Sequence, residues 1–221
     1  MHALRWMIAI GLVSFGCGDP EYGGQSRALR LRFGLGGCTA VAASQSSLAK
    51  GGQTELVIGD PKKRERLDLT SESPGVISVP SASITLTCDG SKCEQTTGKA
   101  LVSADAEGAA KLLISAEGAA VDSLSVKVAA ATSMRVEDDK QNAGTVHTKL
   151  GTNITLAAKL FSGSTELFAK TPFRWKVDGD ALKTTSETSS RVSLSPLAAG
   201  TSTVTGQFGD LGASIQVIVD P

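Results

Sequence analysis

Chemically reactive side chains are scarce in this chain, which has four cysteines and two histidines among 221 residues. Cys88 and Cys93 enclose the turn-rich tetrapeptide Asp-Gly-Ser-Lys. Two strands folded back by that turn would bring the two thiols within bridging distance, so the spacing predicts a disulfide between Cys88 and Cys93. Cys38 is then expected to be a free, buried thiol. A bridge from Cys38 to one member of the pair is the alternative.

Catalysis is not favoured by the remaining reactive residues. His147 is the only histidine beyond residue 2, so general acid–base chemistry or a catalytic triad would depend on it alone. No Gly-x-Ser-x-Gly or comparable nucleophile motif accompanies it. Zinc needs about four ligands, and three cysteines with His147 half a chain away do not make a convincing set. The sequence therefore predicts a protein that is not an enzyme, with no catalytic residues, no metal site and no cofactor.

Two acidic groups and one basic run are candidates for ion binding. Residues 137–139 (Glu-Asp-Asp) and the pair Asp178 and Asp180 could offer oxygens to calcium, which takes six to eight, but solvated turns are the simpler interpretation. The basic run 61–66 (Pro-Lys-Lys-Arg-Glu-Arg) could contact lipid phosphates or form a solvated loop. Because 22 Lys and Arg balance 22 Asp and Glu, no overall field attracts nucleic acid, and we expect no such partner.

The first seventeen residues indicate export and lipid attachment. The uncharged apolar run 6–15 has the length of a signal-peptide core and about half the length of a membrane-spanning helix. It ends in Ser-Phe-Gly-Cys, which resembles a bacterial lipobox, although Ser14 stands where Leu is usual. The resemblance implies a signal peptide over 1–16, a lipid on Cys17 and a polar tether over 17–27. The alternatives are an ordinary signal peptide cut nearby, with Cys17 a plain thiol, and an uncleaved anchor.

A lipid on Cys17 would hold the protein at a bacterial cell envelope. Each methylene that enters the bilayer contributes about 0.8 kcal/mol, so several acyl chains give a nearly permanent anchor. Gly18 rather than Asp follows the cysteine, which by analogy with lipoprotein sorting predicts the outer membrane. The membrane is therefore an expected partner, through the N-terminal lipid.

Apolar and polar residues alternate along much of the remaining chain. The runs 28–33, 123–128 and 214–219 alternate with a period of two, which is typical of half-buried strands, and turn-rich segments separate such runs. Short strands at this spacing predict a β-sandwich or a barrel.

The strand pattern also occurs twice. Gly108 and Gly200 open similar hairpins and are 92 residues apart. A repeat of that length is a whole domain rather than a solenoid unit. We therefore predict two tandem domains, over 28–129 and 130–221. About seven extra residues in the first copy are expected around its cysteine pair.

Each half resembles the group-2 bacterial immunoglobulin-like domains of surface proteins and adhesins. Residues 69–79 match that family's W-t-S-x-x-x-x-V-a-x-V segment, with Leu69 where Trp is common; the second half keeps the Trp, as Trp175. Residues 199–205 match the later A-G-t-a-x-I-t hairpin. The resemblance covers nearly all of residues 35–220. It implies an all-β chain of two immunoglobulin-like β-sandwiches with a binding, spacing or adhesion role.

These features predict a non-catalytic lipoprotein of the cell envelope that acts as an interaction, adhesion or spacer module. Its expected partner is an envelope or surface protein. The alternative is a polysaccharide-binding module or an accessory subunit of an envelope enzyme. That alternative requires an exposed row of aromatic side chains. Trp175 is expected to fill the core of the second domain instead of lying in such a row. The nearby candidates are Phe161, Phe168, Phe173 and Trp175. No aromatic residue lies between Gly34 and Val128.

Overall fold

The alternating pattern does produce strands. The computed structural model describes residues 28–34, 40–42, 46–88 and 93–221, and these form strands and turns without a helix. Along the strand Ala119–Ala129, for example, buried Leu124, Val126 and Val128 alternate with exposed Ser125 and Lys127. Every second side chain enters a core, as a period of two requires.

Eleven strands form the first sandwich within the described residues. They are β1 (Arg30–Gly34), β2 (Ala40–Ala42), β3 (Ser47–Ala49), β4 (Gln53–Asp60), β5 (Arg66–Ser71), β6 (Ile77–Ser78), β7 (Ser83–Thr85), β8 (Thr87–Cys88), β9 (Thr96–Ala104), β10 (Gly108–Ala116) and β11 (Ala119–Ala129). One sheet has the order β2-β1-β4-β9-β6, with β8 also paired to β9, and the facing strands have the order β3-β11-β10-β5-β7.

Nine strands form the second sandwich. They are β12 (Ser133–Asp138), β13 (Thr145–Lys149), β14 (Ile154–Ser162), β15 (Thr165–Phe168), β16 (Arg174–Asp178), β17 (Leu182–Thr188), β18 (Arg191–Pro196), β19 (Gly200–Phe208) and β20 (Leu211–Asp220). β12, β14, β18 and β17 lie side by side in one layer, and the other layer has the order β13-β20-β19-β16.

Both sandwiches have the immunoglobulin-like strand order. In that fold, strands A, B, E and D form one sheet and strands G, F and C the other. The A-B-E-D layer is β1-β4-β9-β6 in the first domain and β12-β14-β18-β17 in the second, and the G-F-C layer is β11-β10-β5 and β20-β19-β16. In both, a short strand (β3 or β13) lies parallel to strand G. The chain is therefore all-β, with two tandem immunoglobulin-like sandwiches.

The 92-residue repeat is visible in the backbone. Gly108 and Gly200 open β10 and β19 with φ of 146° and 148°, a region that side-chain-bearing residues rarely adopt. The turns before the two B strands correspond at Gly51 and Gly151, with φ of 78° and 80°. The extra residues of the first domain lie between β6 and β9, where β7, β8 and the cysteine pair are located.

Each sandwich has its own apolar core. The first is mainly aliphatic, with Phe33 as its buried aromatic residue, and includes fully buried Leu69 in strand C. At the equivalent strand of the second domain, Trp175 is half-buried and packs against the second core, and its indole N–H donates a hydrogen bond to Ser189 O at 3.1 Å. The expectation that Trp175 fills the second core is thus met only in part, because β16 is an edge strand and leaves one side of the ring open.

Candidate functional site

The two sandwiches are joined by a continuous sheet. Strand β15, in the hairpin that follows β14, pairs in parallel with β3 of the first domain, with Leu167 opposite Ser47 and Phe168 opposite Leu48. β3 is also paired with β11, so one ten-stranded sheet runs through both domains. This pairing joins backbone to backbone, which is a more directional connection than a contact between two side-chain surfaces.

Backbone hydrogen bonds continue the connection beyond β15. The Gln53 N–H donates to Thr171 O at 2.8 Å, and Gln53 O accepts from the N–H groups of Lys170 at 2.7 Å and Thr171 at 3.2 Å. Gln53 begins β4, the B strand of the first domain. The second domain is therefore attached to both layers of the first, through β3 on one side and β4 on the other.

An ion pair lies beside these bonds. Lys170 Nζ is 2.8 Å from Glu55 Oε1, and Lys99 Nζ approaches the other carboxylate oxygen at 3.7 Å. The hydrogen bond from Lys170, supported by the positive charges of Lys170 and Lys99, holds the pKa of Glu55 below its ordinary value of 4.5 despite partial burial. Both partners of the interdomain pair are about 30% exposed, so its contribution is that of a screened pair, about 0.2–1 kcal/mol.

An apolar cluster, the junction core, fills the space between the domains. Its buried members are Ala49 of the first domain and Leu160, Leu167, Ala169 and Phe208 of the second. The Phe208 ring lies 5.0 Å, centroid to centroid, from that of Phe173. Phe168 extends this contact by packing against the first domain's core.

The closest approach in the junction requires a glycine. A Cβ atom on Gly52 would lie 2.6 Å from the Cβ of Ala169 and 2.9 Å from Ala49 O. Carbon atoms are at their best separation at about 3.5–4.0 Å, so a side chain here would separate the domains. Unlike the turn residue Gly51, Gly52 is needed for space and not for its backbone angles.

The arrangement of the junction is suited to holding two domains at a fixed angle. Domains within one chain move relative to each other unless their interface is extensive and apolar. Here sheet pairing, three further backbone hydrogen bonds, an ion pair and an apolar core all cross the boundary. Only residues 130–132 connect β11 to β12. Sequence reasoning missed this site because neither β3 nor β15 has a pattern that identifies its partner strand.

The predicted bridge between Cys88 and Cys93 is present, with an S–S distance of 2.03 Å. It joins the exposed end of β8 to the turn before β9. Cys17, with the signal peptide and the tether, and Cys38 lie outside the described residues, so the lipid and the free thiol remain predictions.

His147 lies on β13 with an exposed side chain, and its Nδ1 is 3.4 Å from Asp220 Oδ2. Both side chains are open to water, with 61% and 45% of their surface exposed. The structure thus brings the histidine to an edge strand beside one carboxylate.

Two of the candidate calcium ligands, Glu137 and Asp138, have other partners. Glu137 is buried, and its Oε1 lies 2.6 Å from Lys159 Nζ. Its Oε2 lies 3.0 Å from Arg135 Nη2, in an ion pair that does not have hydrogen-bond geometry. Burial by itself would raise the pKa of Asp138, but hydrogen bonds from Asn142 and Lys140 hold it below its ordinary value. Within the described ranges, no group of three or more His, Cys, Asp or Glu residues is placed to hold a metal ion.

The basic run begins at a five-residue loop that recurs in the second domain. Buried Asp60 accepts hydrogen bonds from the N–H groups of Lys62 and Arg64 and from the Arg64 guanidinium, at 2.8, 3.3 and 2.7 Å. Asp138 accepts from the same relative positions, the N–H groups of residues 140 and 142 and the side chain of residue 142. In both loops the fourth residue has a positive φ, 58° and 66°. The loop geometry is therefore set by its first aspartate.

The four candidate aromatic residues do not form an exposed row. Phe168 and Phe173 are in the junction, and Trp175 packs against the second core. Phe161 is half-buried beneath the Arg135 guanidinium, 5.2 Å from its ring centre. The four rings therefore do not form a row on which successive sugar rings could stack. Across the part of the chain that the structure describes, no helix is long and apolar enough to cross a membrane.

No known protein family matches the chain, and no curated protein matches it. Among solved structures it is similar to domains 5–6 of the S-layer protein SbsC, with 15% identity and a TM-score of 0.34 over 80% of this chain and 95% of that chain. It is similar to the Yersinia pseudotuberculosis adhesin InvE, with 13% identity and a TM-score of 0.33 over 92% and 62%. It is also similar to the D0-D1 domain of intimin, with 15% identity and a TM-score of 0.31 over 78% and 92%. Similarity at this level establishes neither a family nor a function.

Proposed function

We propose that this protein is a non-catalytic lipoprotein of the bacterial cell envelope, acylated at Cys17, whose two immunoglobulin-like domains form a stiff spacer. The spacer holds the second domain at a fixed height and orientation, where its surface meets a protein partner. The observation that carries the proposal is the junction, in which β15 of the second domain is a strand of the first domain's sheet.

The junction supports a spacer because a spacer must resist bending at its weakest point. In a two-domain chain that point is the connection between the domains. Bending at residues 130–132 would break the pairing of Phe168 with Leu48 and the hydrogen bonds between Gln53 and Thr171 at once. The non-catalytic part of the proposal rests on the sequence, in which no nucleophile motif accompanies His147.

The spacer is tested by inserting a flexible Gly-Ser-Gly-Ser-Gly segment between Ala131 and Thr132. Small-angle X-ray scattering of the unaltered chain, produced from residue 17 onward, should fit one domain arrangement. The insertion variant should fit the same arrangement, because the junction contacts and not the linker hold the domains. Gly52→Ala, which crowds the junction, should need several arrangements. The same insertion in the exposed turn at Gly118 is the matched control and should leave the scattering curve unchanged apart from the added mass. An unaltered chain that already needs an ensemble would contradict the proposal.

The anchor is tested separately. Expressed in a bacterium, the mature protein should begin at Cys17 and carry the mass of acyl chains in intact-protein mass spectrometry. Cys17→Ser should release it from the membrane fraction. An unmodified N-terminus elsewhere, in a protein that fractionates without the membrane, would contradict lipid attachment and leave the spacer proposal to stand on the junction.

A further inference from the structure

A charged groove lies at the end of the first domain where the chain enters the sandwich. Arg30 at the start of β1 pairs with Gly59 near the end of β4, and the buried Asp122 carboxylate accepts from the Leu29 N–H at 3.1 Å. The groove has a volume of about 670 Å³. Its lining residues are Lys63, Arg64, Glu65, Arg66, Asp68, Ala116 and Glu117. The junction with the second domain is at the opposite end.

The groove is lined by both positively and negatively charged side chains, and some of these side chains have no ion-pair partner. Arg64 is paired with Asp60 at 2.7 Å, and Arg66 with Asp68 at 3.7 Å. Among the residues that the structure describes, Lys63, Glu65 and Glu117 form no ion pair. A ligand that complements this lining has one anionic group for Lys63 and one cationic group for the glutamates. A purely anionic ligand would be opposed by Glu65 and Glu117.

The cationic side of the groove is preformed. Buried Asp60 fixes the loop through three hydrogen bonds, and Thr96 Oγ1 donates to Arg64 O at 2.8 Å. The loop therefore presents Lys62 and Lys63 without the cost of ordering the backbone. The loop at Asp138 has the same geometry but the sequence Asp-Asp-Lys-Gln-Asn in place of Asp-Pro-Lys-Lys-Arg. The fold requires the loop, and it does not require Lys63, because the second loop has Gln141 at that position.

The position of the groove indicates which ligand it meets. Ten residues separate Cys17 from Ala28, and even fully extended they reach only roughly 35 Å. If Cys17 is acylated, as proposed above, the tether keeps this end of the first domain within roughly 35 Å of the bilayer surface. A bilayer presents phosphate groups, and a phosphoethanolamine headgroup adds an ammonium group beside each phosphate.

We propose that this groove binds the zwitterionic phosphoethanolamine headgroup of membrane phospholipid, with the phosphate at Lys63 and the ammonium at Glu65 and Glu117. The contact would orient the stalk on the membrane in addition to the lipid anchor. It rests on the proposed attachment at Cys17 for its location, whereas headgroup recognition itself is a property of the described residues.

The test is an NMR titration of the chain from residue 17 onward, which keeps every described residue, with glycerophosphoethanolamine as the probe. Saturable shifts are expected at the amides of residues 62–66 and 116–118. Lys63→Gln and Glu117→Gln should each weaken binding about fivefold, which corresponds to about 1 kcal/mol per charge. Lys140→Gln, in the second loop, is the matched control and should leave the affinity unchanged.

Two further probes separate the sources of phosphate. Inorganic phosphate and glycerophosphoglycerol lack the ammonium group and should bind more weakly than glycerophosphoethanolamine. Equal binding of all three, stronger binding after Glu117→Gln, or no localised shifts would overturn the proposal. These results need no acyl chain, so they are distinguishable from a failure of lipid attachment, which the mass of the N-terminus reports.

Discussion

The most direct test of the junction is Gly52→Ala, because its effect can be worked out from distances. The new methyl group would lie 2.6 Å from the Cβ of Ala169. Restoring ordinary carbon–carbon contact requires a displacement of about 1 Å. Gly52 is next to Gln53, and Ala169 is next to Lys170. The displacement therefore stretches two neighbouring hydrogen bonds, from the Lys170 N–H to Gln53 O at 2.7 Å and from the Gln53 N–H to Thr171 O at 2.8 Å. At about 3.7 Å neither would remain a hydrogen bond.

The expected cost follows from these losses. Two backbone hydrogen bonds contribute about 0.5–1.5 kcal/mol each, and crowding in a packed site costs about 1–3 kcal/mol, part of which the displacement relieves. We therefore expect the docking of the second domain to weaken by about 2–4 kcal/mol. Each sandwich should stay folded, because Gly52 and Ala169 lie outside the two main cores.

Amide hydrogen exchange measured by NMR is the appropriate assay. The Gln53, Lys170 and Thr171 amides should lose protection in Gly52→Ala, while amides in the centre of β19 keep theirs. Gly75→Ala is the control, since a Cβ there has no neighbour within 4 Å. Adding Ala169→Gly should restore part of the protection, but not all, because Ala49 O remains 2.9 Å away. Unchanged protection at all three amides would refute the reasoning.

Three further expectations concern pH, a buried hydroxyl and the disulfide. Lys170 holds the pKa of Glu55 in the folded protein below 4.5. The Glu55 carboxylate therefore stabilises the junction fully above about pH 4.5, and this stabilisation is lost as the pH falls through the folded pKa. Glu55→Gln should remove this part of the pH dependence of amide exchange at the junction. Ser202→Ala should raise the free energy of unfolding by about 1 kcal/mol in urea titrations, since the hydroxyl is buried without a hydrogen-bond partner in the described structure, and a loss of stability would contradict this. Replacing Cys88 and Cys93 by serine should cost about 2 kcal/mol and leave the circular dichroism spectrum unchanged, because the bridge closes only a short loop.

Local features of the two domains followed from the sequence. Alternation at β11 and β20 predicted strands because a pleated strand turns every second side chain to one face. The spacing of Gly108 and Gly200 predicted a repeated domain because both positions need a backbone angle that favours glycine. The six-residue segment from Cys88 to Cys93 predicted its own bridge because a turn this short brings its ends together. In each case the cause lies within a few neighbouring residues.

Aromatic and acidic residues were harder to interpret, because their roles depend on distant partners. Phe168 and Phe173 were candidates for a sugar-binding row, and both are used in the junction. Glu137 was a candidate calcium ligand, and it pairs with Lys159 on the neighbouring strand. A side chain's type indicates what it can bind, and only its three-dimensional neighbours decide whether that capacity is already used.

The sequence by itself determined the strands, the two-fold repetition of the domain and the local disulfide, because these depend on periodicity and short loops. The tertiary structure alone decided that the domains share a sheet, because the pairing of Phe168 with Leu48 joins residues 120 positions apart that carry no mutual signal. It also decided that Gly52 is a point of close approach and that Lys63 and Glu117 line one groove. Strand edges pair through backbone groups that every residue has, so which edges meet is settled by the shape and packing of the whole molecule.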